Sequence, residues 1–161
     1  MIDLLIDFIL TSIGLLVAMV LSAGALYTGI SLLDRLTPGI DEWKLIKSGN
    51  FAIGLFYASV MVSVFIMVAP SIAAFQLSLP GIIISLVNYV IALFVAILVV
   101  YLTIHMADRL TVDLDEFAEL EKGNIAVALI VSVVIVAVAL AASEQLAELH
   151  SIIRSAESIL F

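Results

Sequence analysis

From Ser48 to Ala107 the chain carries no Asp, Glu, Lys or Arg, and two further charge-free runs extend from Phe8 to Leu33 and from Gly123 to Ser143. A helix needs about 20 apolar residues to cross the hydrocarbon core of a bilayer. Each outer run therefore holds one crossing and the middle run holds two, with Pro70 and Pro80 expected to mark the turn between them. The predicted spans are roughly 8–33, 50–69, 81–106 and 124–143. Composition agrees, with 65% hydrophobic and 12% charged residues and a mean hydropathy of +1.33. A 17.2 kDa globule has too little interior to hide that much apolar surface from water, so lipid is the expected solvent.

The polar segments between spans repeat. DRLTPGIDEWKLIKSGN starts at Asp34, and DRLTVDLDEFAELEKGN starts at Asp108. A gapless shift of 74 residues gives 15 identities over the 38 positions from Tyr27 to Val64. Low apolar complexity produces chance matches among Val and Leu. It does not produce matched Asp34/Asp108, Arg35/Arg109, Asp41/Asp115, Glu42/Glu116, Gly49/Gly123 and Asn50/Asn124 in one register. The expected fold is thus all-α and integral to the membrane, a tandem parallel repeat of a two-helix hairpin. Residues 1–74 form the first repeat, 75–143 the second, and 144–161 a C-terminal amphipathic helix.

The repeated segment reads as an elbow. Asp34-Arg35 ends the first span, and Arg35 is long enough to snorkel to the headgroups. Pro38-Gly39 breaks the chain, Asp41 suits a helix N-cap, and Glu42 places negative charge in the first turn. Ile40, Trp43 and Ile46 (Leu114, Phe117 and Leu120 in the copy) recur every three residues, giving a short interfacial helix one apolar face. Gly49 suits a left-handed helix end and Asn50 a cap on the next span, with Gly123 and Asn124 as their copies. A second reading of these acids is a ring at the mouth of a channel. Reciprocal pairing of Asp34 with Arg109 and Arg35 with Asp108 is a further possibility.

Small residues mark candidate helix contacts. Gly14, Ala18 and Ser22 recur every four residues, with Asn88, Ala92 and Ala96 as counterparts; Gly54 and Ala58 correspond to Ala128 and Ser132. Such stripes let helix backbones approach in lipid, within one chain or between chains. Asn88 is the most polar residue deep in a span and is read as a hydrogen-bonding contact between helices. In the tail, Leu146, Leu149, Ile153, Ala156 and Leu160 follow the spacing of a coiled-coil seam; joined to the fourth span they either continue a bundle, which favours a homo-oligomer, or lie flat on the outer surface. His105 and His150 are expected to be interfacial polar residues, since neither has metal-ligand spacing around it.

Arg35, Lys44 and Lys47 lie in one polar loop and Arg109 and Lys122 in the other. The positive-inside rule places both loops in the cytoplasm and both termini outside. The N-terminus is acidic rather than basic, so the first span is expected to stay in the mature protein. There is no cysteine, which excludes disulfides, thiolate metal sites and cysteine nucleophiles. A formal net charge of −8 argues against nucleic acid as a partner. No motif implies a cofactor, metal or catalytic group, and no ionisable residue sits at mid-membrane depth, where coupled transporters place one.

The duplicated signature Asp41-Glu42-Trp43…Ile46…Gly49-Asn50-Phe51-Ala52 and Asp115-Glu116-Phe117…Leu120…Gly123-Asn124-Ile125-Ala126 resembles the prokaryotic membrane family known as domain of unknown function 350. The second copy carries the family-like Glu121-Lys122 before its Gly-Asn, and the first departs with Lys47-Ser48. The resemblance implies a multi-pass protein of a bacterial or archaeal inner membrane and no established activity. Two readings of function follow. One is a non-enzymatic, self-associating scaffold whose acidic elbows, net −4 in the second loop, dock a cytoplasmic protein in envelope or membrane maintenance. The other is an oligomeric pore for ions or a small solute, lined by residues such as Thr11, Ser22, Ser59, Ser63 and Asn88.

Overall fold

The computed structural model describes residues 1–37, 41–110 and 115–160, apart from the side chains of residues 36, 107–110, 154 and 156–160. All regular structure in these residues is helical. In chain order the elements are α1 (Ile2–Leu36), α2 (Glu42–Lys47), α3 (Phe51–Ala73), α4 (Leu79–Leu110), α5 (Glu116–Glu121) and α6 (Ile125–Leu160). Four are long and apolar enough to cross a membrane, over Ile2–Arg35, Phe51–Ala73, Leu79–Met106 and Ile125–Ile153. Helix suits an apolar solvent because every interior N–H finds its carbonyl within the same segment.

The centre of the bundle is α3, which packs against α1, α4 and most extensively α6. Its buried positions Phe56, Val60, Val64, Met67 and Val68 recur every three or four residues. They meet Ala92, Ala96 and Val100 of α4 and Ala128, Val131, Ile135 and Ala139 of α6 in one core. Large residues on α3 face small ones on α4 and α6, and this is how helices approach when lipid removes the hydrophobic drive to associate. By contrast, the most apolar stretch of α1 buries none of its residues. This helix, about 52 Å long at 1.5 Å per residue, is held mainly near its C-terminal half. There Ala25 and Leu33 are buried, and the Tyr89 hydroxyl of α4 donates to the Leu21 carbonyl at 2.8 Å. Glycine makes that approach possible, since a Cβ on Gly24 would lie 3.2 Å from the Tyr89 oxygen.

Two expectations change, the place of Pro70 and the seam of the tail. Pro70 lies inside α3, and the turn falls between Ala73 and Leu79. Proline removes a single N–H and the helix closes one more turn after it, with Ala74 N–H donating to the Pro70 carbonyl at 3.1 Å. The tail runs on from the fourth span, with α6 unbroken to Leu160. Its buried residues are Leu146 and His150, while Leu149 is exposed, so the expected Leu146–Leu149 seam is displaced. The physical reason is continuity: Ile135, Ala139, Leu146 and His150 extend one core face along an uninterrupted helix. His150 is buried on that face. The seam positions Ala156 and Leu160 lie outside the described side chains.

Candidate functional site

Each polar loop contains a six-residue helix built from the same local rules. Asp41 accepts from Lys44 N–H at 3.0 Å and Asp115 from Ala118 N–H at 3.0 Å, so each Asp satisfies a donor that the first turn leaves open. Both helices end by donating backward from the next two residues. Gly49 N–H reaches Ile46 O at 3.0 Å and Asn50 N–H reaches Leu45 O at 2.9 Å; Gly123 reaches Leu120 O and Asn124 reaches Glu119 O at the same distances. This pattern requires a left-handed residue, and Gly49 and Gly123 have φ of +90° and +82°. Asn50 then caps α3, its Oδ1 accepting from Ile53 N–H at 3.1 Å, and Asn124 Oδ1 accepts from Ala126 and Val127 at 3.2 and 3.4 Å.

The two asparagines use their amide protons differently. Asn50 Nδ2 donates across the molecule to the carbonyls of Leu120 and Glu121, each at 2.9 Å, at the end of α5. Asn124 Nδ2 stays within its own loop and donates to Glu119 Oε2 at 2.8 Å. The sequence supplies the reason. Glu119 aligns with Leu45, so Asn124 has a carboxylate beside it and Asn50 does not. Lys122 Nζ completes the second loop at 2.7 Å from Glu119 Oε1. Hydrogen bonds from Asn124 and then Lys122 hold the Glu119 carboxyl below its ordinary pKa, and the bond to Glu119 raises that of Lys122.

Aromatic rings seat both short helices on α3. Trp43 meets Tyr57 edge-on at 6.1 Å, and Phe117 meets Phe56 edge-on at 5.8 Å. The Tyr57 hydroxyl donates to Asp34 Oδ1 at 3.2 Å. Glu42 is buried and accepts from the Thr37 hydroxyl; Glu116 is equally buried in the other loop. The structure thus draws Asp34, Glu42, Trp43 and Asn50 together around the base of α3, and joins Asn50 to the end of α5. Asp41 and Asp115 each serve their own helix. The side chains of Asp108 and Arg109 lie outside the described residues, as do Pro38, Gly39, Ile40 and Leu114, so the reciprocal pairing and the chain break at Pro38-Gly39 lie outside them too.

Among the small residues, Ala92, Ala96 and Ala128 are fully buried and Ser132 nearly so, with its Oγ 3.5 Å from the Leu55 carbonyl. Gly14, Ala18, Ser22 and Gly54 are partly exposed and Ala58 is exposed; a Cβ on Gly14 or Gly54 would touch nothing within 4 Å. The Oδ1 of Asn88 is buried without a partner among the described residues. Tyr57, Phe56 and Glu119 escaped the sequence reading, which weighted positions that match between halves. The missed signal is mismatch: Tyr57 aligns with Val131 and Glu119 with Leu45.

No curated protein and no solved structure matches the chain. A family model described as Domain of Unknown Function (DUF350) matches residues 5–153, nearly the whole length and both polar loops. The chain of four apolar helices and two asparagine-ended loops is therefore a member of the DUF350 family.

Proposed function

We propose that this protein is a non-enzymatic scaffold of the prokaryotic inner membrane, built as a tandem repeat of two-span hairpins, with both termini outside. Its two elbows lie together on the cytoplasmic face as one platform for a protein partner in envelope or membrane maintenance, and copies of the chain associate within the bilayer. The observation that carries this reading is the pair of bonds from Asn50 to the Leu120 and Glu121 carbonyls, which joins the two loops into one polar surface. That surface offers exposed charges of both signs, Lys44 and Lys47 on one loop and Glu121 and Lys122 on the other. The partly exposed Gly14, Ala18 and Ser22 and the exposed Ala58 support contact between chains.

The test is in-cell photocrosslinking from Lys47 and Glu121, with a paired Lys47→Glu/Glu121→Lys variant. One cytoplasmic protein crosslinked from both positions and lost in the variant is the expected result. Adducts from only one loop would contradict a shared platform. The pore reading draws on Ser63, whose hydroxyl is buried in α3 without a partner among the described residues, and on Asn88. The filled core around Phe56, Val60, Val64 and Met67 favours the scaffold, because a pore would then have to run between copies.

A further inference from the structure

Towards the C-terminal end of α1 lies a cleft of about 260 Å³ lined by Tyr27, Thr28, Ser31, Leu32 and Arg35 of α1 and Ile97 of α4. Tyr27, Ser31 and Arg35 are spaced by four residues and so form one face of α1. Thr28 Oγ1 is satisfied by the Gly24 carbonyl at 2.8 Å, whereas Tyr27, Ser31 and Arg35 have no side-chain partner among the described residues. The neighbouring acid does not neutralise Arg35, because Asp34 turns towards α3 to accept from Tyr57. A guanidinium with no partner among the described residues thus stands at the charged end of a cleft whose apolar lining is Leu32 of α1 and Ile97 of α4.

We propose that this cleft binds the headgroup of an anionic phospholipid. A guanidinium matches a phosphate diester with two parallel N–H bonds, and it is the side chain best suited to do so at a bilayer edge. Tyr27 to Arg35 spans about 12 Å along the helix, more than the roughly 5–8 Å depth of the polar headgroup layer, so the cleft reaches from that layer into the acyl region. Arg35 holds the phosphate, Ser31 donates beside it, and Leu32 and Ile97 flank the chains below. The formal net charge of −8 makes general adsorption of anionic lipid weak, so a local site stands out against a low background. This site is separate from the loop platform and holds or fails independently of it.

The experiment is native mass spectrometry of the intact protein released from vesicles of equimolar phosphatidylglycerol and phosphatidylcholine. Wild type should retain phosphatidylglycerol several-fold over phosphatidylcholine, with one tight lipid per chain. Arg35→Gln should bring the ratio to unity. Ile97→Trp, which fills the cleft and leaves the charge in place, should do the same, and Lys47→Gln, an equal charge loss outside the cleft, should not. Equal retention of both lipids by wild type overturns the proposal. So does a preference that survives both Arg35→Gln and Ile97→Trp, or displacement of the lipid by inorganic phosphate, which would make the site one for free anions.

Discussion

Asn50 performs three hydrogen-bonding tasks with one carboxamide, capping α3 with its oxygen and reaching two carbonyls of α5 with its nitrogen. A lost cap costs about 1 kcal/mol and a lost hydrogen bond a similar amount, so Asn50→Ala should cost about 2–3 kcal/mol. Asn124→Ala should cost about 1 kcal/mol, the loss of its cap, since its amide nitrogen donates to a partly exposed carboxylate of its own loop rather than across the molecule. Urea titration in detergent micelles separates the two, and equal losses would remove the special role of Asn50. Acid acts on the other loop. The Glu119 carboxyl has its pKa lowered in the folded chain, so its contribution is full above the ordinary glutamic acid range. It is lost as pH falls through the depressed value. The Asn124 side-chain amide resonance should follow that titration, and Glu119→Gln should abolish the shift. The asymmetry between these asparagines rests on Leu45 against Glu119, which is plain in the sequence once the halves are compared for their differences.

Among the four long helices, α1 is the least attached, clasped to α4 by the Tyr89 hydroxyl and with a long apolar stretch facing outward. Tyr89→Phe removes that clasp and should cost about 0.6 kcal/mol, the mean for such a bond between membrane helices. Gly24→Val should cost more, because its Cβ meets the Tyr89 oxygen and its methyls must displace the ring. A thiol-reactivity assay on Ser22→Cys would register the loosening as faster labelling in both variants. Along α6, burial of His150 without a partner for either ring nitrogen among the described residues makes His150→Leu stabilising, while Leu149→Asp at its exposed neighbour should be nearly neutral. Thermal unfolding in micelles checks both. The four long helices were legible because uncharged runs of that length have one stable solvent. The tail face was not, because a heptad reading treats 144–161 by itself, whereas the core face of α6 sets which residues continue it. Nor did the small-residue spacing reveal that Ala92, Ala96 and Ala128 are fully buried while Ala58 is exposed; that depends on which neighbour α3 takes.

As a whole the molecule combines an apolar bundle organised around α3 with two polar loops that meet at the base of that helix. Bilayer residence and family membership follow from hydropathy and from the Gly-Asn signature. The junction of the loops was beyond sequence, since Asn50 and Glu121 are 71 residues apart and no pattern of spacing links them. The central claim is that both loops occupy one side of the membrane and touch within a single chain. The chain has no cysteine, so thiols introduced as Lys47→Cys and Glu121→Cys are the only ones present. We would treat sealed membrane vesicles of known orientation with a short bismaleimide. The account predicts that both positions react from the cytoplasmic side and give an intramolecular crosslink that Asn50→Ala weakens. Labelling of the two positions from opposite sides, or crosslinks formed between chains alone, would contradict it.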